Sequence, residues 1–199
     1  MSRRLNLEAR EKILSAAHAL IYKRGFKGVS MEDIANAAGV KKANLFHYYP
    51  TKETLGLAVF ERAIECSRKK VAEALQHGAA DPIAVVESMF DQASGNMREN
   101  GCSGGCFIGN IAQELSDTHE TLRHQVSNHL MEWSNQWAAF FRSKKDAGYF
   151  GSALDPQASA VSLLSLFEGA MLWCKTNRTT TALENAKQLA RRHFESLRS

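Results

Sequence analysis

The chain has little of what β-sheet, secreted and membrane proteins need. Only three of its 199 residues are proline, and almost no segment alternates apolar and polar residues with the period of a strand. It has no apolar stretch near 20 residues, and its first residues, MSRRLNLEAREK, carry charges where a secretory signal is apolar. We therefore expect an all-α cytoplasmic protein without a membrane partner.

Cysteine is also scarce, with four residues in the chain. In a cytoplasmic protein we expect them to be thiols. Cys102 and Cys106 lie in the segment GCSGGCFIGN, but no second cysteine pair exists and the histidines lack ligand spacing, so we expect neither a metal nor another cofactor. The same segment matches the G-x-S-x-G pattern of serine hydrolases, but no strand is predicted before it, and a catalytic serine is excluded.

Positive charge is concentrated at the N-terminus. Residues 1–55 contain ten Lys and Arg against five Asp and Glu, whereas the remaining 144 residues contain fifteen against sixteen. A basic segment on a nearly neutral body favours an anionic partner for that segment alone, with nucleic acid as the first candidate.

Apolar residues recur along almost the whole chain at the three- and four-residue spacing of helices. Ser30, with Asp33 three residues later, predicts a capped helix, and Gly39 predicts its left-handed end. The predicted helices cover 7–24, the segment between Ser30 and Gly39, 41–49, about 51–76, 82–100, 107–117, 120–145, 156–176 and 180–198. Loops are predicted at 78–82 and 146–156.

Two short helices joined at a glycine turn and supported by a third match the helix-turn-helix arrangement, whose second helix enters the major groove. That helix is KKANLFHYY, from Lys41 to Tyr49. Its side chains suit DNA, since lysines bind phosphates or guanine edges and Asn or His can hydrogen-bond to base edges. We expect Leu45 and Phe46 to pack inward.

The segment GFKGVSMEDIANAAGVKKANLFHYYPTKETL resembles the DNA-binding head of the TetR family of bacterial repressors. The resemblance implies a nine-helix, all-α fold, with a helix-turn-helix domain at 1–52 and an effector-binding and dimerisation domain at 53–199. It also implies that a homodimer binds a palindromic double-stranded DNA operator. The resemblance implies that Lys41, Lys42, Asn44 and His47 lie nearest the bases. It also implies that Tyr48, Tyr49 and Lys52 contact the DNA backbone and that Ser30 lies near a phosphate as the helix cap.

The eighth predicted helix is apolar on nearly every side, so it should be buried on all faces, with a second subunit as one cover. Members of the family usually dimerise through their last two helices. The dimer interface is predicted at Leu163, Leu166, Phe167, Ala170, Leu183, Ala190 and Phe194. The middle helices usually enclose the inducer, and the predicted lining is Met89, Phe90, Met97, Phe107 and Trp133.

Cys106 stands at the start of the sixth predicted helix, where the helix dipole favours a thiolate. The segment from Cys106 to Leu115 resembles a branch of the family that responds to reactive compounds and includes the repressor of the N-ethylmaleimide reductase operon. That resemblance places Lys175 near Cys106, with Cys174 beside it, and Cys102 is the other cysteine of the region. Either modification of Cys106 or reversible binding of a small molecule in the same region could release DNA.

These observations predict a DNA-binding transcriptional repressor rather than an enzyme. Two alternatives from other classes are an α-helical enzyme that uses Cys106 and a helical interaction module that binds no DNA.

Overall fold

A computed structural model describes residues 2–77 and 81–199, with the side chains of residues 2–6 and 77 left aside. Across these residues the chain forms nine helices. They are α1 (Ser2–Arg24), α2 (Met31–Ala38), α3 (Lys42–Tyr48), α4 (Lys52–His77), α5 (Pro82–Glu99), α6 (Phe107–Leu115), α7 (Glu120–Asp146), α8 (Pro156–Asn177) and α9 (Thr181–Ser196).

The predicted all-α, nine-helix fold is confirmed. The largest difference is at the first helix, which begins at Ser2 rather than at residue 7. Arg and Leu in this stretch are good helix formers without giving an apolar stripe, so the periodicity pattern missed them. Residues 78–80 of the predicted loop at 78–82 lie outside the described residues.

The chain divides by its contacts into two compact units. The first contains the residues up to Cys66 together with Phe107–Arg123, so α6 belongs to the same unit as the predicted helix-turn-helix. The core of this unit is formed by buried apolar side chains of α1 to α4 and α6, among them Ile13, Ile21, Ile34, Leu45, Phe60 and Ile111. The division at residue 52 stays a prediction.

The second unit contains Ser67–Cys106 and His124–Ser199. In it α5, α8 and α9 pack against one another. Its core continues through the aromatic side chains of α7 and ends at Phe194 of α9, whose ring stacks on Phe141 with centroids 4.7 Å apart. No helix of the described residues is both long and apolar enough to cross a membrane.

Helix α8 is not covered on all sides within the chain, and its predicted cover by a second subunit stays a prediction. Its residues Val161, Leu172 and Trp173 are exposed, and Trp173 exposes 65% of its surface. Most residues of the predicted dimer interface lie on the opposite side from these exposed residues and are buried in the chain's own core. These are Leu163, Phe167, Ala170, Leu183, Ala190 and Phe194, whereas Leu166 is only partly buried. The exposed apolar residues form a second face of the helix.

The capping box of α2 gives a stability prediction. Ser30 Oγ accepts a hydrogen bond from the Asp33 backbone N–H, and the Asp33 carboxylate accepts one from the Ser30 N–H. Replacing Ser30 by Ala should lower the free energy of unfolding by about 1 kcal/mol, because the α2 N-terminus loses its cap. Urea denaturation measures it, with Ser152→Ala on an exposed loop as the control; equal stability of the two variants would contradict the prediction.

Candidate nucleic-acid interface and effector region

The turn between α2 and α3 is set by Gly39. This residue has the left-handed backbone conformation that was predicted, with φ of 65°, and the Val40 N–H donates to the Ala35 carbonyl at 3.0 Å. The turn lets Lys41 start a new helix in a different direction, and buried Leu45 anchors that helix against the core. The sequence thus builds a helix-turn-helix from a cap, a glycine and one apolar anchor.

The four residues predicted to lie nearest the bases are all exposed on or beside α3: Lys41, Lys42, Asn44 and His47. Lys42 forms an exposed ion pair with Glu32 of α2, with Nζ and Oε2 3.4 Å apart. Such a pair is weak in water, so it leaves Lys42 available to a phosphate. The His47 and Tyr48 rings meet edge to face with centroids 5.4 Å apart.

Phe46 does not pack inward, so this prediction is wrong. Its side chain is 39% exposed, whereas Leu45 beside it is fully buried. A seven-residue helix that packs with one face against the core buries only the side chains on that face. Phe46 directly follows Leu45, so its side chain lies about a third of a turn away from the buried face. Phe46 is therefore an exposed aromatic on the predicted recognition helix, where an apolar side chain can contact a thymine methyl group.

The three residues predicted to contact the DNA backbone differ in their exposure. Tyr48 and Lys52 are half-buried. Lys52 is the first residue of α4, and its ammonium group lies 4.7 Å from the ring centroid of Phe26. Tyr49 is only 4% exposed, and its hydroxyl is buried without a hydrogen-bond partner. This burial argues against the predicted contact between Tyr49 and a phosphate.

A long-range contact that the sequence did not predict joins α6 to the turn between α1 and α2. The Glu114 carboxylate accepts hydrogen bonds from the backbone N–H groups of Phe26 and Lys27, at 2.8 and 2.7 Å. Gly25 allows the approach, because a Cβ there would lie 2.9 Å from Glu114 Oε2. At the other end of α6, the Phe107 ring lies 4.5 Å from the His18 ring of α1.

The glycine-rich segment before α6 has an unusual backbone. Four of its residues have positive φ, including the non-glycine Cys102 at 53°. Two hydrogen bonds hold this backbone at Cys102. The Cys102 N–H donates to the Met97 carbonyl at 2.6 Å, and the Cys102 carbonyl accepts a hydrogen bond from the Arg178 side chain at 3.1 Å. The segment therefore holds Cys106 at a fixed place immediately before α6.

The four cysteines are free thiols with different surroundings. Cys102 and Cys174 are buried, and burial raises the pKa of the Cys174 thiol, which disfavours its reactive thiolate. Cys66 is exposed and Cys106 is half-buried. Of the three cysteines predicted to take part in sensing, Cys106 is thus the one that a reagent can reach most easily.

The group next to the Cys106 thiol is a carboxyl group. Cys106 donates a hydrogen bond to Glu168 of α8, and burial raises the pKa of that carboxyl while the bond partly offsets the effect. Lys175, predicted near Cys106, is half-buried in the last turn of α8. Sequence reasoning did not single out Glu168, because its only signal is one acidic residue in an otherwise apolar helix.

Three of the predicted inducer-pocket residues are buried in one apolar cluster of the second unit: Phe90, Met97 and Trp133. Met89 is partly buried against this cluster. Phe107 belongs to the first unit, where it packs on His18 and Tyr22. Among the described residues, no three side chains of His, Cys, Asp or Glu come together as a metal site.

Known proteins resemble the chain over most of its length. Residues 13–59 match the family model of bacterial regulatory proteins, tetR family, and residues 82–190 match the tetracyclin repressor-like C-terminal domain. The transcriptional regulator AcuR of Cereibacter sphaeroides is 26% identical over 94% of this chain and 85% of its own length. The repressor NemR of Escherichia coli is 24% identical over 94% of both chains.

The crystal structure of a regulatory protein TetR from Rhodobacter sphaeroides superposes with a TM-score of 0.87, at 26% identity, over 94% of this chain and 98% of that one. The helix-turn-helix, its exposed polar side chains and these relatives define a DNA-binding transcriptional regulator, and not an enzyme. The chain belongs to the TetR family, as predicted, and it is homologous to NemR. Regulators of this family bind DNA and typically act as dimers.

The Glu114 contact gives a prediction about the first unit. Replacing Glu114 by Ala removes the acceptor for the Phe26 and Lys27 N–H groups, so these two amides should exchange with solvent at least about tenfold faster. Hydrogen exchange followed by NMR measures the change, with the exposed Glu61→Ala of α4 as the matched control. Unchanged exchange at both amides would contradict the role assigned to Glu114.

Proposed function

We propose that this protein is a repressor that binds a palindromic operator as a homodimer and is released when a small molecule or reactive compound acts near Cys106. The observation that carries the DNA-binding part is the row of exposed polar side chains on α3, held outward by buried Leu45. We assign Lys41, Lys42, Asn44, His47 and Phe46 to the base edges and nearby phosphates, and Ser30, Tyr48 and Lys52 to the DNA backbone. Because its hydroxyl is buried, Tyr49 is assigned to the core.

Lys52 and Asn44 should affect DNA binding in different ways. Lys52→Gln should weaken binding to every sequence and reduce the slope of log affinity against log salt by about 1, because one phosphate contact is lost. Asn44→Ala should instead cost about 1–3 kcal/mol on the preferred operator and change the preferred base.

Fluorescence anisotropy with the protein's own promoter region and with random DNA, over a series of salt concentrations, measures both effects. Lys70→Gln, an exposed lysine of α4 outside the head, is the control for the loss of one positive charge. If the wild-type protein binds its promoter region no better than random DNA, the proposed function fails.

The exposed apolar face of α8 and α9 is the proposed dimer interface. A groove between these helices is lined by Leu166, Gly169, Trp173, Ala182 and Leu189, and Leu189 is exposed like Trp173. A contiguous apolar surface of this kind usually marks a site of association. Two copies related by a two-fold axis would also give their two DNA-binding regions the two-fold symmetry of a palindromic operator.

Trp173 is the best single position for testing this interface. Trp173→Glu should weaken dimerisation by more than tenfold, because buried tryptophans dominate interface energies and a glutamate would be desolvated there. Sedimentation equilibrium measures it, with Met131→Glu on the exposed surface of α7 as the control. A Trp173→Glu protein that remains as dimeric as the control would exclude this face.

The order of residues along the chain supports the proposed route from a chemical change at Cys106 to the release of DNA. Cys106 directly precedes α6, and Glu114 near the other end of that helix is bound to the turn between α1 and α2. A chemical change at Cys106 that shifts α6 would strain these bonds and favour a conformation of the head with lower operator affinity. This is a population shift produced by a local event.

Cys106→Ser tests the covalent form of this proposal. N-ethylmaleimide should release operator from the wild-type protein and from the exposed-thiol control Cys66→Ser, but not from Cys106→Ser. Mass spectrometry of the modified cysteines and anisotropy of labelled operator are measured on the same samples. Equal release from Cys106→Ser would eliminate Cys106 as the sensor and leave reversible binding as the mode of induction.

A further inference from the structure

The side chain of Phe26, in the turn between α1 and α2, is buried where several parts of the first unit meet. It is 5% exposed. The Lys52 ammonium of α4 lies 4.7 Å from its ring centroid, and the His119 ring meets it edge to face with centroids 6.2 Å apart. Its backbone N–H donates to the Glu114 carboxylate at 2.8 Å. One aromatic residue thus connects the start of α4 to α6 and the residues that follow α6.

Gly56 of α4 gives the Phe26 ring the space that it occupies. Gly56 is buried and lies four residues after Lys52, so the two residues are on the same side of the helix. A Cβ at position 56 would lie 2.5 Å from Phe26 Cε2 and 3.2 Å from Cζ. Carbon atoms in good contact are about 3.5–4.0 Å apart, so the ring fills the place of any side chain at this position. A glycine lowers helix stability relative to alanine, and here its lack of a side chain admits the ring.

Two contacts hold the Lys52 ammonium at the first turn of α4. The ring face of Phe26 attracts a cation within about 6 Å of its centroid, and Lys52 Nζ also donates to the Lys27 carbonyl at 3.5 Å. Without such contacts, the flexible four-carbon stem of a lysine leaves the position of its charge undefined. The ammonium has three N–H donors, so these contacts leave it able to donate to a phosphate oxygen as well.

We propose that Phe26 is a positioning residue for the phosphate contact of Lys52, and that this role requires glycine at position 56. Neither Phe26 nor Gly56 needs to touch DNA, because both act through the Lys52 ammonium. The proposal rests on the proposed function only where that function assigns Lys52 to a DNA phosphate. Since Glu114 and His119 also contact Phe26, the same residue makes the phosphate contact depend on the position of α6.

Gly56→Ala tests the requirement for glycine. The new methyl group would push the Phe26 ring by about 1 Å, and a small apolar cavity beside the ring gives it room, so the variant should fold. This cavity is lined by Phe26 and Gly56 and by residues that include Ile21, Phe60 and Ile111. The displaced ring no longer holds the ammonium, so operator affinity should fall about five- to tenfold at 100 mM salt. The slope of log affinity against log salt should fall by about 1, as in Lys52→Gln.

Two further variants separate this effect from a general change in the protein. Gly95→Ala replaces a helical glycine of α5 whose Cβ would have no atom within 4 Å, and it should bind operator like the wild type. Phe26→Leu keeps a buried apolar side chain but removes the aromatic face, and it should reproduce the loss of affinity seen in Gly56→Ala. It also serves as the second test if Gly56→Ala does not fold, which circular dichroism checks.

A double-mutant cycle tests whether the effect passes through Lys52. In the Lys52→Gln protein, Gly56→Ala should weaken operator binding by less than about twofold, because the contact that it disturbs is already lost. A loss in this background as large as in the wild type would overturn the proposal, since the substitution would then act on the whole DNA-binding region. Wild-type affinity in both Gly56→Ala and Phe26→Leu would overturn it too.

Proton NMR of the full-length protein without DNA tests the positioning separately. Protons above the face of an aromatic ring resonate upfield, so the ε-methylene protons of Lys52 should lie upfield of those of the exposed Lys70. They should move towards the Lys70 position in Gly56→Ala and in Phe26→Leu, and an unchanged Lys52 shift in both variants would overturn the role of Phe26. Wild-type protein that binds its promoter region no better than random DNA would refute the proposed function and leave this NMR result unaffected.

Discussion

The structure of the first unit depends on one carboxylate. The turn between α1 and α2 leaves the N–H groups of Phe26 and Lys27 without helical acceptors, and Glu114 of α6 supplies both bonds. Charge-assisted bonds to two adjacent amides fix position as well as orientation. Phe26 in turn contacts Lys52 at the start of α4, so the groups that would meet the DNA backbone are arranged around a turn that α6 holds in place.

This arrangement explains how a sensor outside the DNA-binding helices could influence them. The glycine-rich segment ends at Cys106 and α6 begins at the next residue, so the proposed sensor Cys106 and Glu114 are separated by about two turns of helix. Short helices transmit displacement because their backbone hydrogen bonds resist bending. The carboxyl group beside Cys106 differs from the lysine expected there: burial raises the pKa of Glu168, which accepts a hydrogen bond from the thiol, whereas a lysine would stabilise the thiolate by its charge.

Local sequence signals predicted the fold well. The Ser30 capping box, the left-handed Gly39 and the proline at the start of α5 and α8 depend on interactions within a few residues, and the structure confirms them. Long-range packing was harder to predict. Phe46 is exposed, contrary to the prediction, and Tyr49 and most of the residues chosen on α8 and α9 are buried in the chain's own core. An apolar side chain alone does not tell which of two apolar faces meets which neighbour. The contacts of Glu114 and Glu168 join residues far apart in sequence, and no spacing pattern indicates them.

The central claim is that this TetR-family protein binds a two-fold symmetric operator and loses it through a change in the region of Cys106. DNase footprinting of its own promoter region, with and without a thiol-reactive compound, tests that claim most directly. We expect protection of two related half-sites about one helical turn apart, which disappears when Cys106 is modified. A promoter region that shows no protection would contradict the claim of operator binding, and protection that persists with Cys106 fully modified would contradict release through that thiol.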